Sequence, residues 1–464
     1  MFKKVLVCNR GEIARRVIRT CKRLGIATVA VYSEADAEAP HVSEADEAVL
    51  LGPAPAKDSY LNIDAILAAI EKTGADAVHP GYGFLSEKSA FARAVADKGV
   101  TFIGPPPEVL DAFGDKMKAR HVALSAGTSP VPGTDEPIAI DTPEAMAHAK
   151  ALAAKIGYPI VAKAVGGGGG IGMQVVQEEA GLERALESCS DRGKASFADA
   201  RVYMEHYVSQ PRHIEVQVFC DKHGQAFALG ERECSVQRRH QKIIEETPSP
   251  AAFFQGADGE KRRADLMEAA LRVVKKVGYV GAGTCEFIAD DKGNLFFLEV
   301  NARLQVEHPV TEMVTGLDLV ELQLRVAAGE KLPDLSTVTR KGHSIEARVY
   351  AEDAAKGFIP KPGPIDELSW ANGEGEVQSA HVRIESGVRA GNKVTPFYDP
   401  MVAKIVTWGE TREAAIAQLD RVIEGTKLAP CVTNLGFVRK VLASDEFKAG
   451  NYDTKFAEIL AKRP

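Results

Sequence analysis

The chain has 464 residues, too many for one ordinary hydrophobic core, so we expect two to four domains. Its composition is that of a soluble globular protein, and its net charge of −7 argues against non-specific nucleic-acid or membrane binding as the main role. The seven cysteines are scattered without a C-x-x-C pair, which favours unpaired thiols in a reducing compartment.

The N-terminal region alternates between predicted strands and helices. Residues 5–8 predict a strand, apolar positions then recur at helical spacing up to Leu24, and residues 28–32 return to a strand. Further segments continue this alternation: a helix near 62–71, a strand at 77–79, a helix near 90–97 and a strand at 101–103. The pattern predicts an α/β fold whose doubly wound parallel sheet binds ligands at the carboxyl ends of its strands.

The first strand runs into Asn9–Glu12, where no G-x-G-x-x-G follows, so a dinucleotide site is not expected. The apolar part of the N-terminus is too short for a secretory signal, and no apolar run is long enough to cross a bilayer. We therefore expect a cytoplasmic protein, or an organellar one after removal of a presequence.

At a later strand end, the glycines of loop 79–87 either bring the backbone close to a ligand or form an ordinary turn.

A glycine-rich hairpin is predicted in the middle of the chain. Thr142 as N-cap and Pro143 at the first helical position predict a helix to about Ile156. A strand at 158–165 then runs into glycine-rich residues 166–172 and a second strand at 173–176. Bare amides in such a hairpin can close over phosphate oxygens, and the alternative is a plain flexible linker.

Two segments after this hairpin differ in their polarity. Strands are predicted at 202–208 and 213–218, and in the second His213, Glu215 and Gln217 form a polar face. Residues 231–242 are dense in charged groups, and such a run taken alone predicts a solvated surface.

The strongest chemical signal is a pair of acidic residues in a second predicted hairpin. A turn centred on Lys292 and Gly293 places Glu286 opposite Glu299. Facing carboxylates repel each other unless a cation lies between them, and the carbonyl of Asn301 completes an oxygen-rich set that suits Mg²⁺. The alternative is a solvated hairpin whose register is shifted by one residue.

The remainder of the chain predicts a further α+β region. Residues 309–328 predict one helix, and a strand within 342–353 carries Glu346, Arg348 and Tyr350 on one side. Another strand at 399–406 and helices near 413–424 and 434–442 complete the pattern.

Taken in order, these segments resemble biotin carboxylase, the ATP-grasp component of the biotin-dependent carboxylases. The resemblance covers about residues 2–455. It rests on NRGEIA at 9–14, GPAPAKDSYLN at 52–62, HPGYGFLSE at 79–87, GDK at 114–116, the glycine loop at 166–172, ERECSVQRRHQK at 231–242 and EVNARLQVEHPVTEM at 299–313.

The resemblance implies an N-terminal domain at 1–114, an ATP-grasp domain at 115–330 with a mobile lid at 134–202, and a C-terminal domain at 331–455. It implies that bicarbonate attacks the γ-phosphate of ATP to give carboxyphosphate, which breaks down beside biotin and carboxylates it. The implied cofactors are ATP, Mg²⁺ or Mn²⁺, and biotin carried on another chain.

The same resemblance implies roles for individual residues. The implied ATP-binding residues are Lys116 and Lys163 at the phosphates, Gly169 and Gly170 in the lid, Glu205, His206, Tyr207 and Val208 at the adenine, His213 at the ribose, and Gln237 and His240 along the cleft. The implied metal ligands are Glu286, Glu299 and Asn301.

The remaining implied residues hold bicarbonate and biotin. Lys242, Arg303 and the backbone of Gln305 and Val306 hold bicarbonate, Glu307 is the base that takes its proton, Arg348 stabilises the biotin enolate, and Tyr82 and Gly83 line the biotin site. A carboxylate works as a base near neutral pH if a dry pocket raises its pKa, although Arg303 and the metal act in the opposite direction.

Two positions depart from the family pattern: Ile171 stands where Arg or Lys is usual, and His206 where Lys is common. The loss of a lid charge at Ile171 motivates one alternative, an inactive regulatory or scaffold homologue. A second alternative is another ATP-grasp ligase that acts on a carboxylate or in carbamate chemistry.

The sequence lacks an Ala-Met-Lys-Met biotin attachment site, and the tail after residue 455 is too short for a carrier domain. The expected partners are therefore a biotin carboxyl carrier protein and carboxyltransferase subunits, with a homodimer implied by the resemblance. No nucleic-acid or membrane partner is expected.

Overall fold

The computed structural model describes residues 1–166, 172–371 and 381–463. The lid positions Gly169, Gly170 and Ile171 lie outside these residues. No described helix has both the length and the apolarity needed to cross a membrane.

The N-terminal region forms a five-stranded sheet in the order β3-β2-β1-β4-β5, with every pair parallel, which confirms the predicted fold class. The edge strand β3 carries a short apolar run at 48–51 that the sequence analysis did not single out, and half of its residues are exposed. The elements are β1 Lys4–Val7, α1 Gly11–Arg23, β2 Ala27–Ser33, α2 Pro40–Glu44, β3 Glu47–Gly52, α3 Ile63–Thr73, β4 Ala77–His79, α4 Ser89–Asp97 and β5 Thr101–Phe102.

A smaller antiparallel sheet follows, in the order β7-β6-β8. It confirms the predicted hairpin, because Lys163 pairs with Met173 across the glycine-rich segment. Thr142 caps α7 as predicted, its hydroxyl accepting from the Ala145 amide at 3.1 Å. The elements are α5 Pro107–Phe113, α6 Lys116–Ser125, α7 Pro143–Ile156, β6 Ile160–Ala164, β7 Met173–Val176, α8 Leu182–Phe197 and β8 Val202–His206.

The largest layer is an eight-stranded sheet in the order β13-β12-β9-β10-β11-β14-β21-β19, with antiparallel neighbours throughout. Its first part comprises β9 Arg212–Cys220, β10 Ala226–Arg238, β11 Gln241–Thr247, α9 Gly256–Lys276, β12 Gly281–Ala289, β13 Leu295–Asn301, α10 His308–Thr315, α11 Leu319–Ala327 and β14 His343–Tyr350.

The C-terminal residues extend this sheet and cover one of its faces with an apolar core. Because β11 pairs with β14, and β14 pairs with β21, the sheet is continuous across residue 330. The elements are β15 Glu352–Asp353, β16 Ile359–Pro360, β17 Gly363–Pro364, β18 Glu367–Ser369, β19 Val382–Ser386, β20 Lys393–Val394, β21 Met401–Gly409, α12 Arg412–Glu424, β22 Lys427–Ala429, α13 Leu435–Ala443, α14 Asp445–Lys448 and α15 Phe456–Ala461.

Two predictions from the sequence are wrong. The single helix expected at 309–328 is two helices, because Gly316 adopts a left-handed conformation (φ +73°) after α10 and Asp318 caps α11. The solvated surface expected at 231–242 is the hairpin of β10 and β11, where residues 231–237 are buried, Arg232 fully so, and exposure is confined to Arg239 and His240 at the turn. The Arg232 guanidinium contacts Glu215 at 2.5 Å, so paired charges take the place of solvent.

The break at Gly316 generates a stability prediction. Gly316→Ala forces an L side chain into the left-handed region, and we expect the free energy of unfolding to fall by about 1 kcal/mol. The matched control is Gly436→Ala inside α13, where space is open and φ is not positive, so higher helix propensity should stabilise the protein. Calorimetry should show a lower Tm for the first variant and an equal or higher Tm for the second; the reverse order contradicts the analysis.

Candidate active site

A cleft of about 670 Å³ lies between the small sheet and the large sheet. Most of the residues that sequence reasoning singled out line it together. They are Lys116, Lys163, Glu205, His206, Tyr207, Val208, His213, Gln237, His240, Lys242, Glu286, Glu299, Arg303, Gln305, Val306, Glu307 and Arg348. The C-terminal segment adds lining residues that the sequence did not indicate: Asp399, Thr454, Lys455 and Glu458.

The acidic hairpin has the predicted pairing, for a reason that the sequence did not reveal. Glu286 is the register partner of Glu299, but beside the turn the ladder is shifted, with Phe287 opposite Phe297. A uniform ladder continued from that pair would face Glu286 with Leu298. An irregularity between Glu286 and Phe287 restores the pairing, as a β-bulge does.

The turn itself explains the shift beside it. The Asp290 amide donates to the Asn294 carbonyl at 3.0 Å, which leaves a three-residue loop in place of the predicted two-residue turn. Gly293 takes the left-handed conformation (φ +77°) that such loops require.

The carboxylates of this hairpin fit a hard divalent cation. Burial raises the pKa of Glu299, and Glu286 and Glu87 add to the rise against the opposing charge of Lys116, whose Nζ is 4.0 Å from Glu299. A cation bound beside a carboxylate that has other negative charges around it stabilises the ionised form of that carboxylate. Paired carboxylate oxygens are ligands that suit Mg²⁺. Asn301 fits less directly, because its Oδ1 accepts from Arg303 at 2.9 Å while its Nδ2 donates to Glu286 at 2.8 Å.

Lys242 lies at the centre of a buried acidic cluster. Its Nζ contacts Glu215 at 2.6 Å, Glu307 at 2.5 Å and Glu286 at 3.3 Å, and it donates to Gln305 at 3.2 Å. Burial opposes its charge, but the acidic groups packed around it raise the pKa of Lys242 well above its usual value. Lys242 therefore places a persistent positive charge in the lining of the cleft.

Glu307 is held between two cations. Besides Lys242, it contacts Arg348 at 3.0 Å, and Arg348 also donates to Glu245 at 2.6 Å. Burial alone would raise the pKa of Glu307, but Lys242, Arg348 and Arg232 lower it far below its usual value. In this arrangement Glu307 is ionised and a weak base, whereas the sequence analysis required a dry pocket to raise its pKa.

Arg303 lies beside this cluster and is oriented by a residue from the N-terminal region. Its Nε is 3.2 Å from Glu87, whose other oxygen accepts from the Ala302 amide at 2.9 Å. Glu87 belongs to the HPGYGFLSE motif, so loop 79–87 shapes the cleft through this carboxylate. The sequence analysis gave Glu87 no role.

The side of the cleft formed by the small sheet carries a second ion pair. Lys163 on β6 contacts Glu205 on β8, and Arg120 approaches the same carboxylate at 3.3 Å. The Lys163 ammonium also lies 5.9 Å from the centre of the Tyr203 ring. A nucleotide phosphate that reaches Lys163 must therefore share it with Glu205.

Among the predicted residues that the structure describes, three do not line the cleft: Asn301, Tyr82 and Gly83. Tyr82 is half-buried and its hydroxyl donates to Glu12 on α1. Arg348 lines the cleft and Tyr82 and Gly83 do not, but against the rise that burial causes in the pKa of the Tyr82 hydroxyl, the charge of Arg348 still acts on that hydroxyl and lowers its pKa.

Comparisons with known proteins identify relatives over the whole length. Residues 1–110 match the family described as biotin carboxylase, N-terminal domain, and residues 346–459 match biotin carboxylase C-terminal domain. Residues 115–335 match carbamoyl-phosphate synthase L chain, ATP binding domain. Biotin carboxylase 2 of Bacillus subtilis is 47% identical over 457 residues, covering 98% of this chain and 99% of that protein.

Two solved structures resemble this fold closely. The biotin carboxylase domain dimer of Hydrogenobacter thermophilus 2-oxoglutarate carboxylase, in complex with MgADP, ADP and bicarbonate, has a TM-score of 0.92 and 40% identity, covering 100% of this chain and 99% of that one. A biotin carboxylase–β-γ-ATP complex from Campylobacter jejuni has a TM-score of 0.92 and 42% identity, covering 99% of each chain.

The acidic hairpin generates a metal-binding prediction. Glu299→Gln removes one charged ligand, and we expect Mn²⁺ to bind the nucleotide-loaded protein roughly 10- to 100-fold more weakly. Electron paramagnetic resonance of free Mn²⁺ measures this affinity directly. Glu268→Gln makes the same charge change at an exposed side chain on α9 and should leave the affinity unchanged. Equal affinities in the two variants would exclude the hairpin as the metal site.

Proposed function

Because this chain belongs to the biotin carboxylase family, we propose that it catalyses the ATP- and bicarbonate-dependent carboxylation of biotin. One observation carries the proposal: the paired carboxylates of Glu286 and Glu299 share a cleft with Lys242, Glu307 and Arg348. This combination joins a metal–nucleotide site to an anion site with a titratable carboxylate.

On the nucleotide side, Glu286 and Glu299 would hold Mg²⁺ or Mn²⁺, which supplies charge neutralisation at the phosphates. Lys116 and Lys163 extend into the same cleft and orient the phosphate chain, because phosphoryl transfer depends mainly on positioning and electrostatic stabilisation. Residues 205–208 and His213 line the side on which the base and ribose are proposed to lie.

On the anion side, Lys242 and Arg303 bind bicarbonate together with the backbone of Gln305 and Val306. The planar guanidinium of Arg303 suits a planar oxyanion. Bicarbonate then attacks the γ-phosphate of ATP, ADP leaves, and carboxyphosphate forms. Carboxyphosphate breaks down to CO₂ and phosphate next to biotin, and the released phosphate takes the proton from the biotin nitrogen. Arg348 stabilises the resulting enolate, whose nitrogen attacks CO₂.

Glu307 takes the bicarbonate proton in this scheme. Its two cationic partners lower its pKa, so an incoming bicarbonate that attracts Lys242 towards itself removes part of the stabilisation of the ionised carboxylate. Substrate binding thereby raises the basicity of Glu307 at the step that needs it.

Biotin is proposed to arrive on a separate carrier protein, with carboxyltransferase subunits as further partners. The proposal rests on the membership of this chain in the biotin carboxylase family. A homodimer is proposed because the Hydrogenobacter relative is described as a dimer.

The decisive experiment measures ATP cleavage by the purified protein with and without bicarbonate and free biotin. Biotin-stimulated, bicarbonate-dependent cleavage is the expected result. Cleavage driven by another carboxylic acid would identify a different ATP-grasp ligase. No cleavage at saturating ATP would identify an inactive homologue.

The base assignment generates a separate prediction. Glu307→Gln keeps the size of the side chain but cannot accept the bicarbonate proton, so we expect biotin-dependent turnover to fall by about 10²- to 10⁴-fold. ATP affinity, measured by calorimetry, should stay within about twofold, since Glu307 lies on the anion side of the cleft.

The matched control for this variant is Glu352→Gln. Glu352 is also buried, and its polar side-chain contacts within the described residues are with Arg238 at 3.7 Å and Gln241 at 3.4 Å, not with the anion-side residues. Its turnover should stay near that of the unaltered protein. Normal turnover in Glu307→Gln would refute the base assignment.

A further inference from the structure

Beneath the anion side, one face of the large sheet carries a row of buried charges. Across adjacent strands, Lys404 on β21 is the register partner of Arg348 on β14 and of Glu385 on β19. Lys404 and Glu385 are fully buried and Arg348 is almost so. Lysine is rarely fully buried without a specific partner, so the contacts of Lys404 need an explanation.

The shortest contact of Lys404 is with residues 305–307, the segment proposed to bind bicarbonate and to carry the base. Lys404 Nζ donates to the backbone carbonyl of Val306 at 2.6 Å. That carbonyl belongs to the peptide that links Val306 to Glu307, so the bond fixes the plane from which the Glu307 side chain departs. Glu307 has φ −82° and ψ 10°, in the sparsely populated bridge region, where external contacts are needed to define the conformation.

A purely structural lysine would be expected to lie against a carboxylate. Among the described residues, the only ion pair of Lys404 is with Glu12 at the longer distance of 3.4 Å. The nearby Glu346 carboxyl is fully buried; burial raises its pKa and the charge of Lys404 opposes this rise, but neither carboxylate oxygen is hydrogen-bonded, so Lys404 makes no direct bond to it. The ammonium is therefore directed at the Val306 carbonyl more than at an acid.

The same contacts connect the anion side to the N-terminal region. Glu12, the ion-pair partner of Lys404, accepts a hydrogen bond from the hydroxyl of Tyr82. A chain of polar contacts thus runs from Tyr82, one of the residues assigned to biotin, through Glu12 on α1 and Lys404 on β21. It ends at the peptide bond between Val306 and Glu307. Each link is long-range in sequence, so only the folded protein assembles it.

We infer that Lys404 is a positioning residue for bicarbonate: its bond to the Val306 carbonyl holds the backbone of residues 305–307 in the geometry that binds the anion and aims Glu307. The inference deepens the proposed function and rests on it. It assigns Lys404 no contact with substrate and no proton transfer.

The test compares Lys404→Met with the unaltered protein. We expect the affinity of the MgADP-loaded protein for ¹³C-bicarbonate, measured by NMR line broadening, to fall about tenfold, because a binding segment held loosely loses pre-organisation. The KM for bicarbonate should rise in parallel, whereas the affinity for MgADP should stay within about twofold. A general loosening of the fold would weaken both ligands.

Arg412→Met is the matched control. It also removes a cation from a buried carboxylate, because Arg412 contacts Glu246 at 2.6 Å, and the other side-chain partners of Glu246 are His343 and Tyr452 rather than residues 305–307. Its melting temperature should fall while bicarbonate affinity stays unchanged. Lys404→Gln provides a second test if the methionine variant does not fold, because its shorter side chain also loses the bond to Val306 and the expectation is the same.

The outcomes separate the two proposals. Unchanged bicarbonate affinity in a folded Lys404 variant, or equal weakening of bicarbonate and MgADP, overturns the positioning role. Absence of biotin-stimulated ATP cleavage in the unaltered protein overturns the proposed function, while the direct bicarbonate titration still decides the role of Lys404. Failure of the unaltered protein to bind bicarbonate overturns both.

Discussion

The site depends on one buried ammonium, that of Lys242. It contacts three carboxylates that would otherwise repel each other in a water-poor cleft: Glu215, Glu286 and Glu307. Burial of ionised groups is costly unless opposite charges and hydrogen bonds compensate it. Arg232 supplies a second compensating charge at Glu215. Arg232 on β10 and Lys242 on β11 are therefore the counter-charges of Glu215 on β9 and Glu286 on β12, which explains why these two charges lie inside the fold.

Periodicity predicted most elements of this fold, because burial of one face leaves a regular apolar pattern in the sequence. It failed where local interactions override the pattern. The apolar spacing continues across Gly316, but a left-handed glycine and the Asp318 cap end one helix and begin another. Charge density at 231–242 indicated solvent only because the opposing charges lie on strands distant in the sequence.

The acidic hairpin shows how a prediction can be right for an incomplete reason. A two-residue turn with a regular ladder predicts Glu286 opposite Glu299. The protein reaches the same pairing through a three-residue loop and a compensating irregularity beside Glu286. Local sequence encodes the two strands and the turn glycine. It does not encode Glu87 reaching Arg303 or Lys404 reaching Val306, because these contacts join residues separated by much of the chain.

The ion pairs that stabilise the cleft also oppose its chemistry. Since the folded-state pKa of Glu307 lies below the unfolded value, its pairing with Lys242 and Arg348 contributes stability above the unfolded pKa, and this contribution is lost as pH falls through the folded pKa. At neutral pH the contribution is fully present, and the same pairing makes Glu307 a poor base. In the proposed scheme, proton transfer to Glu307 therefore requires a ligand that competes for these cations, and an anion with its own acidic proton meets that requirement. A base kept inactive until such an anion arrives would, in the same scheme, also limit ATP cleavage in its absence.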